Sequence, residues 1–151
     1  MDKVALIQNQ INEALKGHDL ERLKVLKVLL AKIKNRQIEL RGQNKPFEDE
    51  DFSGVVLGEI KSRHESIEAF KAGKRDDLVQ KEEQELAVLS EFAPKLLGRE
   101  EIESQVKQVI STLSKESTPN FGVVMGQVMP SLKGKADGSL VSQVVQEVLG
   151  L

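Results

Sequence analysis

Residues 20–40 of the chain read LERLKVLKVLLAKIKNRQIEL, and the spacing of their apolar residues decides the fold class. Apolar side chains return every three or four positions, as on one face of an α-helix, and they do not alternate as in a strand. Asp19 stands where an N-cap is favoured, and Gly42 ends a helix of about six turns. The stretch therefore predicts a long amphipathic helix. Its expected buried stripe is Leu23, Leu26, Leu29, Leu30, Ile33 and Leu40.

The same helical spacing continues along the rest of the chain, so we predict an all-α protein. Glycines and prolines separate the helices. Thr118 is the expected N-cap of the sixth helix, with Pro119 in its first turn, and Pro130 is expected to end or kink it. The expected helices cover about residues 3–16, 19–42, 48–72, 75–92, 100–113 and 119–130, with a hinge at 42–47 and a last helix after Gly138.

The segment PKLLGR, from Pro94 to Arg99, separates two regions of different character. Proline and glycine interrupt the helical pattern there, as they do at many domain boundaries. We predict N-terminal helical hairpins, about four helices in residues 1–94, followed by a small three-helix domain in residues 95–151.

The composition excludes several classes of protein. The 151 residues include 22 Lys and Arg against 24 Asp and Glu, for a net charge of −2, and no cysteine. Disulfides, cysteine-ligated zinc and cysteine nucleophiles are therefore excluded. The first residues form no continuous apolar signal core, and apolar runs elsewhere are far shorter than a membrane span. We expect a cytoplasmic, bacterial-type protein that does not bind membranes.

The chain offers no recognisable catalytic constellation. His18 and His64 lack the neighbouring ligands of a helical metal site, and His64 with Glu68 is most simply a solvated pair. The carboxylates at 82, 83 and 85 are flanked by polar residues, which favours a wet surface over an acid–base pair. We therefore predict no catalytic residues, no metal and no cofactor.

Charge is distributed unevenly along the N-terminal region. Residues 16–45 carry nine basic and three acidic side chains, whereas residues 46–94 carry six basic and thirteen acidic ones. Lys24, Lys27 and Lys34 fall within about 80° on the second helix, as in a ridge that follows phosphates. Alternatively, the basic helix is neutralised by ion pairs with the acidic third and fourth helices.

The loop before the last helix is a second candidate site. Lys133 and Lys135 flank Gly134 just ahead of a helix start, where free N–H groups and the helix dipole favour a phosphate. Asp137, the expected N-cap beside Gly138, would occupy some of those N–H groups itself. From the residues alone, a phosphate site and a capped tight turn with solvated lysines are equally good interpretations.

Two glycines in the sixth helix also need a reason. Gly122 and Gly126 lie one turn apart, and glycine inside a helix costs roughly 1 kcal/mol of stability. Close approach by another helix or by a ligand backbone would explain them, and of the two we expect helix packing.

Four stretches carry a resemblance to the GatB/YqeY family, in order along essentially the whole chain. They are RLKVLKVLLAKIKN at 22–35, AGKRDDL at 72–78, KEEQE at 81–85 and GQVMPSLKGKADGSLVS at 126–142. The element from Met129 to Val141 is the most specific of them. The resemblance implies an all-α fold of two parts, the second similar to the tail of the B subunit of the aspartyl/glutamyl-tRNA amidotransferase.

The resemblance also implies a function. The amidotransferase tail holds tRNA while the chemistry occurs elsewhere, and a similar module is attached to some glutaminyl-tRNA synthetases. Carried onto this chain, the tRNA contact surface is Lys133, Gly134, Lys135, Asp137 and Gly138, supported by Gly126 and Met129. The family also implies a carbon–nitrogen ligase label with glutamine as amido donor, although no residues that activate ATP or hydrolyse glutamine stand out.

We therefore expect a non-catalytic tRNA-binding module that acts alone or beside an aminoacyl-tRNA synthetase or an amidotransferase subunit. Lys24, Lys27 and Lys34 would be a secondary basic ridge. One alternative is a protein-interaction adaptor that binds a basic partner through the acidic face of helices three and four. Another is an amidotransferase component with hidden activity.

Overall fold

The computed structural model describes residues 2–114 and 119–151, and within these ranges every regular element is an α-helix. The all-α prediction is confirmed. The expected helix ends agree with the observed ones to within about two residues. The helices are α1 (Lys3–Lys16), α2 (Leu20–Gly42), α3 (Asp49–Ala72), α4 (Asp76–Ser90), α5 (Arg99–Leu113), α6 (Phe121–Leu132) and α7 (Gly138–Val148).

Short polar side chains begin several of these helices. The Asp19 carboxylate accepts from the N–H of Arg22 at 3.2 Å, which confirms the predicted cap of α2. Asp137 accepts from the N–H of Ser139 at 3.0 Å, so the last helix is capped as expected. Each cap satisfies a backbone donor that has no partner inside its helix, which is why the helix begins where it does.

The start and end of α6 differ from the prediction. Thr118 lies outside the described residues, and the observed N-cap is Asn120, whose side chain accepts from the N–H of Val123 at 2.9 Å. Pro119 therefore precedes the helix. Pro130 does not end the helix, which continues to Leu132. Pro130 lies in the last turn and has no N–H, so the helix loses only one backbone hydrogen bond there. The helix therefore continues for two more residues.

Residue contacts group the chain into two compact units, Met1–Ala93 and Pro94–Leu151. In the first unit α3 packs along α4, and α2 packs on α1, α3 and α4. The core of this unit is formed by Ile7, Ala14, Leu23, Leu26, Leu29, Ile33, Phe52, Val56, Leu89 and Phe92. Leu23, Leu26, Leu29, Ile33 and Leu40 of the predicted α2 stripe are buried, and Leu30 is half-buried.

In the second unit α5, α6 and α7 pack on one another in pairs. The core consists of Ile102, Val106, Val124, Val128, Leu132, Ala136, Val141, Val144 and Val145. The β-branched residues of α7 favour a strand by propensity alone, but their spacing places them on one helical face. That each unit is a domain able to fold alone stays a prediction.

The two glycines of α6 do not lie at a helix contact, so that expectation was wrong. Both residues are exposed. A Cβ atom built on Gly126 would meet nothing within 4 Å, and one on Gly122 would meet only the Asn120 side chain at 3.6 Å. Within the described part of the chain, no helix is long and apolar enough to cross a membrane.

Candidate functional site

The loop from Lys133 to Gly138 is held in place by its own backbone. The N–H of Lys133 donates to Met129 O at 2.8 Å, and the N–H groups of Lys135 and Ala136 both donate to Leu132 O, at 2.9 and 3.0 Å. Gly134 adopts a φ of 75°, a left-handed conformation that glycine tolerates well. These bonds occupy three backbone donors of the loop, whereas the N–H groups of Gly134 and Gly138 donate to no other described residue.

The same loop also anchors the segment before α5. The carbonyl of Lys135 accepts from the N–H of Leu97 at 2.8 Å, and the Ala136 side chain is buried in the core of the second unit. Met129 packs against this core as expected, whereas Gly126 is exposed. The loop is therefore a tight turn capped by Asp137, and its use as a contact surface stays a prediction. Lys133 and Lys135 remain exposed and, among the described residues, form no ion pair.

The basic helix α2 is only partly neutralised by the acidic helices. Lys32 Nζ lies 2.5 Å from Glu59 Oε1 of α3, and Arg22 Nη1 lies 2.6 Å from Glu91 Oε2 just after α4. Arg36 Nη2 lies 3.3 Å from Asp51 Oδ1. The alternative of mutual charge pairing thus holds for these three basic residues.

The ridge residues behave differently. Lys24, Lys27 and Lys34 are exposed, and within residues 2–114 and 119–151 none of them lies in an ion pair. Val28 and Ile38 are exposed on the same helix, with 52% and 63% of their surface accessible. We call these five residues the basic face of α2. It combines uncompensated positive charge with apolar side chains.

Two acidic residues of α4 are more buried than the sequence predicted, and both pair with an arginine. Arg63 Nη1 of α3 lies 3.1 Å from Glu82 Oε2 and 2.7 Å from Glu85 Oε2. The side chains of Glu82 and Glu85 are only 14% and 22% exposed, so the expectation of a wet surface was wrong for both. Glu83 is exposed as expected. The error arose because Arg63 is far from these residues along the chain.

An open groove adjoins the basic face and was not foreseen from the sequence. It has a volume of about 520 Å³ and lies between α2, α3 and α4. Leu29 of α2 and Leu89 of α4 line it, and both are at least 97% buried. Val28 lines it as well, together with Lys24 and Lys27. No local motif could have predicted this groove, because its lining residues come from three helices.

Histidine and acidic side chains are the remaining candidates for a metal site. Among the described residues, no three histidine or acidic side chains are placed so that they could hold a metal ion. His18 and His64 are both exposed. A hydrogen bond from Arg36 to Glu39 raises the pKa of the Arg36 guanidinium, which stays charged beside Asp51.

Comparison with known proteins places this fold in a family. Residues 4–149 match the family described as Yqey-like protein. A Pyrenophora tritici-repentis protein is 34% identical over 148 residues, covering 95% of this chain and 79% of its own length. Relatives from Kluyveromyces lactis and Saccharomyces cerevisiae are 29% and 28% identical, covering 86% and 83% of this chain and 73% and 69% of their own lengths.

These relatives overturn two expectations. All three are named "Altered inheritance of mitochondria protein 41, mitochondrial". The names contradict the expectation of a cytoplasmic protein, and they give no support to a tRNA-binding or amidotransferase function, which is withdrawn. That the residues from Lys133 to Gly138 form a contact surface stays a prediction. The match over residues 4–149 nevertheless confirms the family resemblance, and the chain belongs to the family of Yqey-like proteins.

Proposed function

We propose that this chain is a protein-binding module that holds an acidic segment of a partner protein on the basic face of α2. The observation that carries the proposal is the charge state of α2. Arg22, Lys32 and Arg36 are neutralised within the fold, whereas Lys24, Lys27 and Lys34 are exposed and, among the described residues, unpaired.

The dimensions of the basic face fit a helical segment. Ten residues separate Lys24 from Lys34, which is about 15 Å along the helix axis. Three turns of a partner helix cover that distance, with acidic residues repeating every three or four positions opposite the lysines. Val28 and Ile38 offer apolar contacts between and beyond the charges.

Electrostatics favour an acidic partner over a basic one. The acidic side of this unit is partly neutralised, because Glu59, Glu82 and Glu85 pair with basic residues of the same unit. Unpaired charge across an interface steers association and selects the partner of opposite sign. In the proposal, the lysines of the basic face attract and select an acidic partner in this way.

A protein partner also explains the face better than a lipid surface does. An interfacial helix needs a wide apolar face that enters the bilayer. The exposed apolar residues of the basic face, Val28 and Ile38, are ten positions apart and stand among lysines. An acidic amphipathic helix satisfies both the charges and the isolated apolar contacts.

The experiment is a fluorescence-anisotropy titration of the full chain with a labelled acidic amphipathic peptide of about 18 residues, or five turns. The variant Lys24→Ala/Lys27→Ala/Lys34→Ala should weaken binding about tenfold or more, and added salt should weaken binding to the wild type. The matched control is Lys61→Ala/Lys71→Ala/Lys81→Ala. It removes the same charge from exposed positions of α3 and α4.

The control separates a local site from general charge attraction. Binding that the first variant weakens and the control variant preserves would support the proposal. Equal weakening by both variants would overturn it, since net charge alone would then explain the attraction. Absence of binding by the wild type at low salt would overturn it as well.

A further inference from the structure

The groove beside the basic face has a feature that the lysines alone do not explain. It is apolar at its base, where Leu29 and Leu89 lie, and Val28 stands half-exposed at its edge. We infer that this groove receives one large apolar side chain from the acidic segment, an aromatic residue or a leucine. The inference rests on the proposed function and names the type of side chain that the partner would place in the groove.

The carboxylates that line the groove are paired with basic side chains of the same unit. Glu59 and Glu85 line it, but Lys32 Nζ lies 2.5 Å from Glu59 and Arg63 Nη1 lies 2.7 Å from Glu85. Lys32 therefore compensates Glu59, whereas Arg63 is shared between Glu85 and Glu82 and compensates Glu85 only in part. An incoming apolar group meets ion pairs at the wall and aliphatic carbon at the base.

Lys24 and Lys27 also line this groove. A side chain seated in it would thus be flanked by two ammonium groups that, among the described residues, have no carboxylate partner. Carboxylates placed one turn before and after the apolar residue on a partner helix would reach them. The predicted motif is therefore an aromatic residue or leucine with acidic residues three or four positions away on both sides.

Size and shape favour a side chain over a flat surface. The volume of about 520 Å³ is in the range of pockets that enclose ligand groups. An aromatic side chain buries about 150–250 Å² when it is enclosed, which makes it the usual anchor of a helix held in a groove. A bilayer surface cannot follow a concave groove between helices, whereas a protruding side chain can enter it.

The experiment compares two acidic amphipathic peptides that differ only at one central position, Phe or Ala, for binding to the full chain. Both peptides are first shown to be equally helical by circular dichroism. The wild type should bind the Phe peptide about tenfold or more tightly than the Ala peptide, as is typical of an interface anchor. The Phe/Ala affinity ratio is the readout, since charge contributes equally to both peptides.

The test variant is Val28→Asn, which makes the edge of the groove polar without changing charge. It should bring the Phe/Ala ratio close to one. The matched control is Ile38→Asn on the same helix, because Ile38 is similarly exposed but lies outside the groove. This control should preserve the ratio, even if both peptides bind somewhat less tightly.

The outcomes separate this inference from the proposed function. Equal binding of both peptides, still dependent on Lys24, Lys27 and Lys34, would overturn the anchor and leave the protein-binding function standing. Failure of both peptides to bind would overturn the two proposals together. Binding of anionic phosphatidylglycerol vesicles in place of the peptides would do the same, and would identify the basic face as a lipid-binding surface.

Discussion

Replacement of Leu26 by alanine tests the two-unit organisation most directly. Leu26 is fully buried in the core of the first unit. The change removes three carbon atoms, at about 0.8 kcal/mol each for lost burial, and leaves a cavity that adds to the loss. We expect the first unit to lose about 3–4 kcal/mol of stability, since core packing relaxes only partly around such a cavity.

Amide hydrogen exchange of the full chain measures where that loss occurs. A loss of about 3 kcal/mol corresponds to a decrease of roughly a hundredfold in protection. We expect this decrease in α1 to α4, while α5 to α7 keep their protection, because the two buried clusters have no residue in common. The reciprocal control is Val144→Ala in α7, which should lower protection in α5 to α7 by roughly tenfold or more.

Two results would refute this reasoning. If Leu26→Ala lowered protection equally in all seven helices, the chain would unfold as one cooperative body and the prediction of two domains would be wrong. If the loss in α1 to α4 were below about 1 kcal/mol, the burial of Leu26 would not carry the packing energy assigned to it.

Three further predictions concern single side chains. Lys32→Ala should cost about 1–3 kcal/mol in urea denaturation, because it leaves the Glu59 carboxylate 11% exposed without its partner, and adding Glu59→Gln should recover part of that loss. Gly126→Ala should raise stability by up to about 1 kcal/mol in the same assay, since the new methyl group meets open space. The hydrogen bond from Arg75 lowers the pKa of Asp77. The stability from this pair is present above the ordinary aspartate pKa, about 3.9, and is lost as pH falls through the lowered pKa. Arg75→Ala should raise the pKa of the Asp77 carboxyl toward its ordinary value, which an NMR titration measures.

The ends of helices were well predicted where the signal is local. Asp19 and Asp137 act as N-caps because a short side chain can reach a backbone N–H two or three residues ahead, an interaction contained within one turn. The start of α6 lies later than predicted because Asn120, a residue type that ranks above threonine as an N-cap, caps the helix. Local rules find the turn but not always the capping residue.

The candidate sites, unlike the helix ends, could not be predicted well from local sequence. The residue types of the loop at Lys133 to Gly138 suit a phosphate site and a capped turn equally, and only the fold shows that three of its backbone donors bond to Met129 and Leu132. The groove could not be found at all, since Leu29 and Leu89 are sixty positions apart in the sequence and meet only when α2 packs on α4.

Periodicity and capping act over a few residues, so the all-α class and nearly every helix could be predicted from local sequence. Which charges remain available depends on packing between helices. Lys32 and Lys34 are two positions apart and chemically identical, but only Lys32 reaches a carboxylate, on a helix 27 residues further along the chain. Packing assigns such partners, and it leaves Lys34 exposed on the basic face.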